Sequence, residues 1–341
     1  MPAKELKRLL NRVADGGLLT EIEMQAALDL LMSGVAPPVA MGAFLMALRV
    51  RGETIDEITG AAKFLRARMT TVDAPANAVD IVGTGGDSHG TYNVSTCAAL
   101  VAAGAGAAVA KHGNRAVTSL SGASDVLQAL GVKLDVPPVV VARALATAGV
   151  GFLWAPMHHP AMKAWAPIRA ELGVRTLFNL LGPLCNPAGV THQVLGVYDR
   201  KLVEPIAHVL KNLGSVHAWV VHGSDGMDEL TTTGPSVVAE LKDGAIRTFE
   251  ITPESVGLPR STLASLKGGD STVNARALRD LLGGEPGPYR DIVVLNAGAA
   301  LLVSGKAQSL EAGIAKAQGA IDSGAATLAL DKLVAVTNDA G

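Results

Sequence analysis

The chain is poor in cysteine, in aromatic rings and in excess charge. Cys97 and Cys185 are its only thiols. Two are too few for a disulfide framework and suit a reducing compartment, so a cytoplasmic protein is expected. Aromatic residues make up 3%, which argues against an array of rings on which bases could stack. With 29 Lys+Arg against 31 Asp+Glu the formal charge is -2, and no basic excess is there to release counterions from a nucleic acid. The longest run of apolar and small residues, Cys97 to Ala110, stops at Lys111, short of the roughly 20 residues that span a bilayer. The N-terminal segment MPAKELKRLLNRVADGG is charged throughout and has no signal-peptide core. Neither a nucleic acid nor a membrane is expected as a partner.

What the chain does have is length and apolar content. Its 341 residues are a prior for about two domains. Hydrophobic residues at 49% exclude a disordered chain, which could not offset the entropy of ordering. The first seventy residues read as helices only. Leu6, Leu9, Leu10 and Val13 share one helical face. Thr20 with Glu23 and Thr54 with Glu57 are capping boxes, each opening a helix, to about Met32 and about Met69. Pro38 opens another that ends near Gly52. Residues 1–70 are therefore expected to form a helical domain, and 71–78 (TVDAPANA) a linker or hinge.

From Val79 short apolar runs alternate with helix-length segments: Val79–Val82, Ala107–Ala110, Val150–Trp154, Val194–Tyr198, Ala218–Val221 and Ile292–Leu295. Helices are predicted between them at 94–104, 123–130, 137–148, 160–171 and 201–213. Such alternation predicts an α/β domain over 79–341 with a central, mostly parallel sheet flanked by helices. Val237–Leu241 and Ile246–Ile251 around Asp243-Gly244 read as a hairpin.

Open α/β sheets bind ligands off the carboxyl ends of their strands, so the chemistry is sought there. After Val82 comes Gly83-Thr84-Gly85-Gly86-Asp87, then Thr91, Asn93, Val94, Ser95 and Thr96 at a helix start. Three glycines in four positions and free N–H groups can cradle an anion, or form no more than a tight turn with a cap. The dinucleotide fingerprint fails at Ser88, and no Gly-Lys-Ser/Thr follows. After Ala110 comes Lys111-His112-Gly113-Asn114-Arg115, a dense polar cluster or a solvated loop. After Val221 the chain reaches Asp228-Glu229, either an exposed acidic turn or a seat for a hard cation such as Mg²⁺. His158-His159 has no zinc-ligand spacing. Arg169 and Arg175 flank a helix end, as surface ion pairs or as a fork for a carboxylate.

At GTGGD (83–87), NVST (93–96), KHGNR (111–115), HHPAMK (158–163), RTLFNLLGPL (175–184), GMDEL (226–230) and LNAGAAL (295–301) the sequence resembles the anthranilate phosphoribosyltransferases. The matches run in the family's order over most of the chain. The resemblance implies a small helical domain, joined by part of 165–182, hinged to a larger α/β domain, and a homodimer through the helical domain. It implies transfer of the 5-phosphoribosyl group of phosphoribosyl pyrophosphate (PRPP) to the amino nitrogen of anthranilate, with release of pyrophosphate, in tryptophan biosynthesis. It places Gly83, Gly86, Asp87, Thr91, Asn93, Val94, Ser95 and Thr96 on PRPP, with Lys111, His112, Gly113, Asn114, Arg115, Ala116, Val117, Thr118, Ser119 and Ala123. Ser95, Asp228 and Glu229 would hold Mg²⁺, as two ions per subunit. Gly83, Asn114, His159, Arg169, Gly182 and Pro183 would meet anthranilate, Arg169 through its carboxylate, with His112 also on the entry channel. The chain departs from the family at Leu120 and Ala123, where Lys and Ser are frequent, and at Ser88, often Gly.

As pyrophosphate departs, C1 of the ribose should gain oxocarbenium character, and positioning with leaving-group electrostatics should dominate. His112 is the candidate general base and Lys111 the other candidate catalytic group. Closure near 71–78 would exclude water. Two other readings remain: a pyrimidine nucleoside phosphorylase of the same architecture, and a non-catalytic relative that binds nucleic acid.

Overall fold

The computed structural model describes residues 2–34, 36–86, 89–115 and 120–339. The chain opens with four helices, α1 (Pro2–Ala14), α2 (Glu21–Met32), α3 (Pro38–Arg51) and α4 (Ile55–Arg66). Both expected capping boxes are formed: the Thr20 and Thr54 hydroxyls accept from the N–H groups of Glu23 and Glu57, whose carboxylates return the bond. The fourth helix stops at Arg66, three residues before Met69.

The remainder is β1 (Val79–Gly83), α5 (Val94–Gly104), β2 (Val109–Gly113), α6 (Ala123–Ala129), α7 (Pro138–Ala148), β3 (Val150–Trp154), α8 (Ala155–His158), α9 (Ala166–Leu172) and α10 (Leu177–Leu184). There follow β4 (His192–Gly196), α11 (Val203–Asn212), β5 (His217–Gly223), β6 (Ser236–Lys242), β7 (Ala245–Ile251), α12 (Ser271–Leu282), α13 (Pro288–Val303), α14 (Leu310–Asp322) and α15 (Ala325–Asn338). The seven strands lie in the order β3-β2-β1-β4-β5-β6-β7. The first five are parallel, and β6 and β7 are antiparallel additions at one edge. Asp243-Gly244 closes the predicted hairpin with both residues at positive φ, 51° and 77°.

Alternate residues of each central strand feed opposite cores. Val194, Trp219, Val221 and Val238 face one cluster with α5, α13, α14 and α15. Leu195, Val220 and Ala239 face another that is continuous with α1–α4, α11 and the α9–α10 segment, including Trp165 and Phe178.

The expected strand at Ile292–Leu295 is not one: it lies in the middle of α13, where nearly every residue is buried. A helix wrapped on all sides is apolar on all sides, so a four-residue window of it cannot be told from a buried strand. The Ala107–Ala110 strand runs instead from Val109 through Lys111, His112 and Gly113, so these polar residues belong to the sheet. The Val194–Tyr198 strand is displaced to His192–Gly196. The expected helix over 160–171 is broken into a 3₁₀ turn, Pro160–Ala164, and α9, which restarts with Pro167 in its first turn.

The helical segment is locked by Glu57, which is fully buried. Its carboxylate accepts from the N–H groups of Leu19 (2.8 Å) and Thr54 (2.9 Å) and pairs with Arg51. Removing it leaves Arg51 and two amides without their partner, so Glu57→Ala should lower the unfolding free energy by about 3–5 kcal/mol. Urea denaturation followed by circular dichroism checks this; a loss below about 1 kcal/mol would show that the lock is not structural.

Candidate active site

In the strand order, β1 sits beside β2 on one side and β4 on the other, so the chain's crossovers diverge at β1 and β4. A crevice opens at the carboxyl end of such a pair. Gly83 ends β1 and is paired with Gly196, which ends β4. A methyl group on Gly196 would lie 1.6 Å from the backbone oxygen of Asp228, and one on Gly83 2.2 Å from the Asp228 Oδ2. Both positions must therefore lack a side chain for the 226–230 loop to rest on the sheet edge. Asp228 is buried, and its Oδ2 accepts the Gly85 N–H at 2.6 Å. The glycine turn and the acidic loop, 143 residues apart in sequence, are thus one structure.

Lys111 comes up beneath them from β2. Its Nζ donates to the Ile81 carbonyl (2.6 Å) and to Ser95 Oγ (3.3 Å). Burial holds its pKa below the ordinary 10.5, against the raising pull of Asp80, Glu229 and Asp228. Asp80, fully buried on β1, accepts from the His112 N–H (3.2 Å) and from Asn186 Nδ2 (2.7 Å), which also donates to Ala110 O. Burial raises Asp80 to about 6, while the Lys111 cation and those hydrogen bonds oppose the rise. In the first turn of α5, Cys97 N–H is bonded back to Asn93 O. The N–H groups of Ser95 and Thr96 come before that bond and lie at the positive end of the helix, toward an anion.

The structure brings most of the remaining expected residues to two places. His112, His159 and Gly182 form one wall: His112 Nδ1 donates to Gly182 O (3.0 Å), and the two Nε2 atoms meet at 3.2 Å. Since Gly182 O can only accept, His112 carries its proton on Nδ1 and presents its Nε2 lone pair toward His159. Pro183, buried in α10, adjoins this wall. Arg169 stands half-buried on α9 with its guanidinium 5.6 Å from the Phe178 ring centroid. Burial lowers its pKa, and it has no acidic partner among the described residues.

Other residues are turned elsewhere. Asn93 is held by Ser121 and Asn274, with Nδ2 on Ser121 O (3.1 Å) and Oδ1 accepting from Asn274 (2.9 Å). Thr91 bridges to Lys267. Val94 and Thr96 are buried. A Cβ on Gly86 would come within 3.0 Å of the Arg175 guanidinium. A Cβ on Gly113 would meet the Phe152 ring at 2.8 Å and Ala123 at 3.3 Å; the exposed Asn114 accepts the Arg115 N–H (2.8 Å), and Arg115 reaches Asp125 (3.2 Å) and Gln128 (3.3 Å). Asp87, Ser88, Ala116, Val117, Thr118 and Ser119 lie outside the described residues. Sequence reasoning missed Asp80 and Asn186, which join β1, β2 and the segment after α10. The only signal was a charged residue inside an apolar strand.

Comparison with known proteins shows the family to which the chain belongs. Residues 75–327 match the model of the glycosyl transferase family, a/b domain, and residues 7–69 that of its helical bundle domain. An anthranilate phosphoribosyltransferase of Rhodopseudomonas palustris strain BisA53 is 60% identical over 336 residues, covering 98% of this chain and 99% of its own. This chain belongs to the anthranilate phosphoribosyltransferase family. The family's reaction, transfer of the phosphoribosyl group of PRPP to anthranilate in tryptophan biosynthesis, is its reaction. The crystal structure of the Thermus thermophilus family member superposes with a TM-score of 0.92 at 45% identity, covering 97% of this chain and 99% of that one. The Saccharomyces cerevisiae member in complex with PRPP and Mg superposes at 0.88 with 31% identity, 98% of each chain covered. No helix among the described residues is long and apolar enough to cross a membrane.

The histidine wall has a pH signature. Burial, its largest cause, brings His112 to about 3 and His159 to about 4, from an ordinary 6.5. Folding therefore favours the neutral rings. Their stabilisation is complete above pH 6.5 and is lost as the pH falls from 6.5 toward 3. Asp80, raised from 3.8 to about 6, acts in the opposite sense across part of that range, so the informative comparison is between variants. His159→Gln should show a shallower loss of urea stability between pH 6.5 and 4 than the parent chain. An unchanged slope would mean that His159 is not held neutral.

Proposed function

We propose that the reaction runs at the crevice above Gly83 and Gly196, with PRPP on the α5 N-terminus and the glycine turn, and anthranilate between the histidine wall and Arg169. The observation that carries this reading is the contact of Asp228 with the glycine turn, because it sets two carboxylates against the phosphate cradle. PRPP and carboxylates repel, so the arrangement requires a cation between them. Two carboxylates with the Ser95 hydroxyl are an incomplete cage for a metal held by protein alone. They suit Mg²⁺, which takes one or two carboxylates and fills its remaining positions with phosphate oxygens and water. The reading takes two ions per subunit, as the resemblance implies. Bound there, Mg²⁺ would neutralise the charge that builds on the departing pyrophosphate.

The chain's own groups do the rest. Ser95 and Thr96 N–H groups receive phosphate oxygens at the positive end of α5. Lys111, fixed by the Ile81 carbonyl, supplies a cation close to both carboxylates without having to move. Arg169, with no acid of its own, is available to the anthranilate carboxylate. The amine of anthranilate is neutral at pH 7, so orienting it toward C1 is the larger task. His112 offers an Nε2 lone pair for the amine proton, on the side where His159 stands at 3.2 Å. Leu18, Ile22, Val39 and Val50 are exposed on the helical segment and support a homodimer formed through it.

Two experiments test this. With anthranilate fluorescence as the readout, turnover should need PRPP and stop with EDTA, and Asp228→Asn combined with Glu229→Gln should reduce kcat by on the order of 100-fold while leaving the circular dichroism unchanged. Full Mg²⁺-dependent activity in that double variant would remove these residues from the metal site. Separately, Arg169→Ala should raise the apparent KM for anthranilate far more than that for PRPP. Equal effects on the two constants would sink its assignment.

A further inference from the structure

The LNAGAAL segment lies in α13, away from the substrate loops, and nothing above gives it a role. Asn296, at its second position, is fully buried in the middle of this sixteen-residue helix. Its side chain reaches out of the helix to a single residue of the acidic loop. Asn296 Oδ1 accepts the Leu230 N–H at 3.1 Å, and Asn296 Nδ2 donates to the Leu230 carbonyl at 2.8 Å and to Ile292 O at 2.9 Å. One amide thus pairs with both backbone groups of Leu230, as a neighbouring strand would.

The placement matters because Leu230 directly follows Asp228-Glu229. On the other side of the pair, Met227 is equally buried. Met227 O accepts the Gly223 N–H at 2.9 Å, and its own N–H goes to Asp225 Oδ1 at 3.1 Å. The two carboxylates are therefore carried on a two-residue span between two anchors sunk in the core. An apolar residue at 296 would fill the space but would leave the Leu230 N–H and carbonyl unpaired in a dry interior. That cost would be relieved by the loop lifting off the helix, taking the carboxylates with it.

We propose that Asn296 is a positioning residue that clamps the Leu230 backbone and thereby fixes where Asp228 and Glu229 present their oxygens. The inference rests on the reading of those two residues as Mg²⁺ ligands. Asn296→Asp keeps the shape but sets an acceptor against the Leu230 carbonyl. Asn296→Ser, smaller and uncharged, is made in parallel so that a folding failure of the first variant still leaves a test. Leu301→Ala, a fully buried position on the same helix, is the control for general loosening of the core.

The measurement is the MgCl₂ dependence of anthranilate consumption at saturating PRPP, paired with hydrogen–deuterium exchange of the metal-free proteins. Supporting groups behind metal ligands change metal affinity by about 10–100-fold when removed. The Asn296 variants should accordingly raise half-saturating Mg²⁺ by about 10-fold or more, and their 225–231 peptide should exchange faster while peptides from β1 and β2 do not. Leu301→Ala should lose stability yet leave half-saturating Mg²⁺ in place. If Asn296→Ser leaves both readouts unchanged, or if Leu301→Ala shifts the Mg²⁺ dependence as far, Asn296 is core filling and the proposal falls. Failure of the underlying metal assignment is distinguishable: the Asp228/Glu229 double variant would then keep its Mg²⁺ dependence, whatever the exchange data say of the clamp.

Discussion

The close approach of Asp228 to the ends of β1 and β4 is the constraint on which the rest of the site depends. It requires that two paired positions on neighbouring strands, Gly83 and Gly196, carry no side chain. Given that bare edge, the acidic loop can lie flat on the sheet and accept the Gly85 N–H, and the glycine turn gains a fixed partner from the far side of the crevice. The groups of the proposed site are then arranged around this contact. Lys111 sits under it on β2, the α5 N-terminus faces it, and Asn296 and Asp225 hold the loop from behind. The same edge at a less compact residue would push the loop outward, and a 1 Å displacement of catalytic groups can cost on the order of 100-fold in rate.

The parts of the molecule that the sequence made legible are those governed by local rules. Capping boxes at Thr20 and Thr54, Pro38 at a helix start and Asp243-Gly244 at a hairpin each act within four residues, so each is legible from neighbouring residues alone. The alternation of apolar runs and helices was enough for a largely parallel sheet. Failures occurred where tertiary burial overrides the local signal. Ile292–Leu295 looked like a strand because α13 is enclosed on every side. The β2 strand was cut short at Ala110 because Lys111 and His112 are polar, although both are buried and continue the ladder beside β3.

Site residues divided along the same line. Short contiguous strings, the glycine turn and Asp228-Glu229, were visible as anomalies of composition and spacing. Their meeting was not, since it joins positions 143 apart. Asp80 and Asn296 were harder still. A lone acid in a strand and a lone amide in a helix have no spacing to betray them, and only the hydrogen bonds they make across the fold show what they hold.

With Asp228 and Glu229 proposed as metal ligands, the charges around Lys111 would couple the binding of metal and substrate. Lys111 is one cation, and its strongest electrostatic neighbours are three carboxylates, Asp80, Glu229 and Asp228. Burial raises Asp80 to about 6, still below pH 7. Carboxylates set against a polyphosphate oppose its binding, whatever the α5 N-terminus and the lysine contribute. A divalent cation held by Asp228 and Glu229 would offset that repulsion, and phosphate oxygens would complete its ligands. Each raises the affinity for the other, a coupling that is reciprocal by linkage. A second lysine in place of the carboxylates would bind PRPP without metal, but it would hold substrate and departing pyrophosphate with similar strength. As proposed, the acidic pair would give up that unconditional affinity and place its counter-charge at the leaving group, where stabilisation during bond breaking would accelerate the reaction.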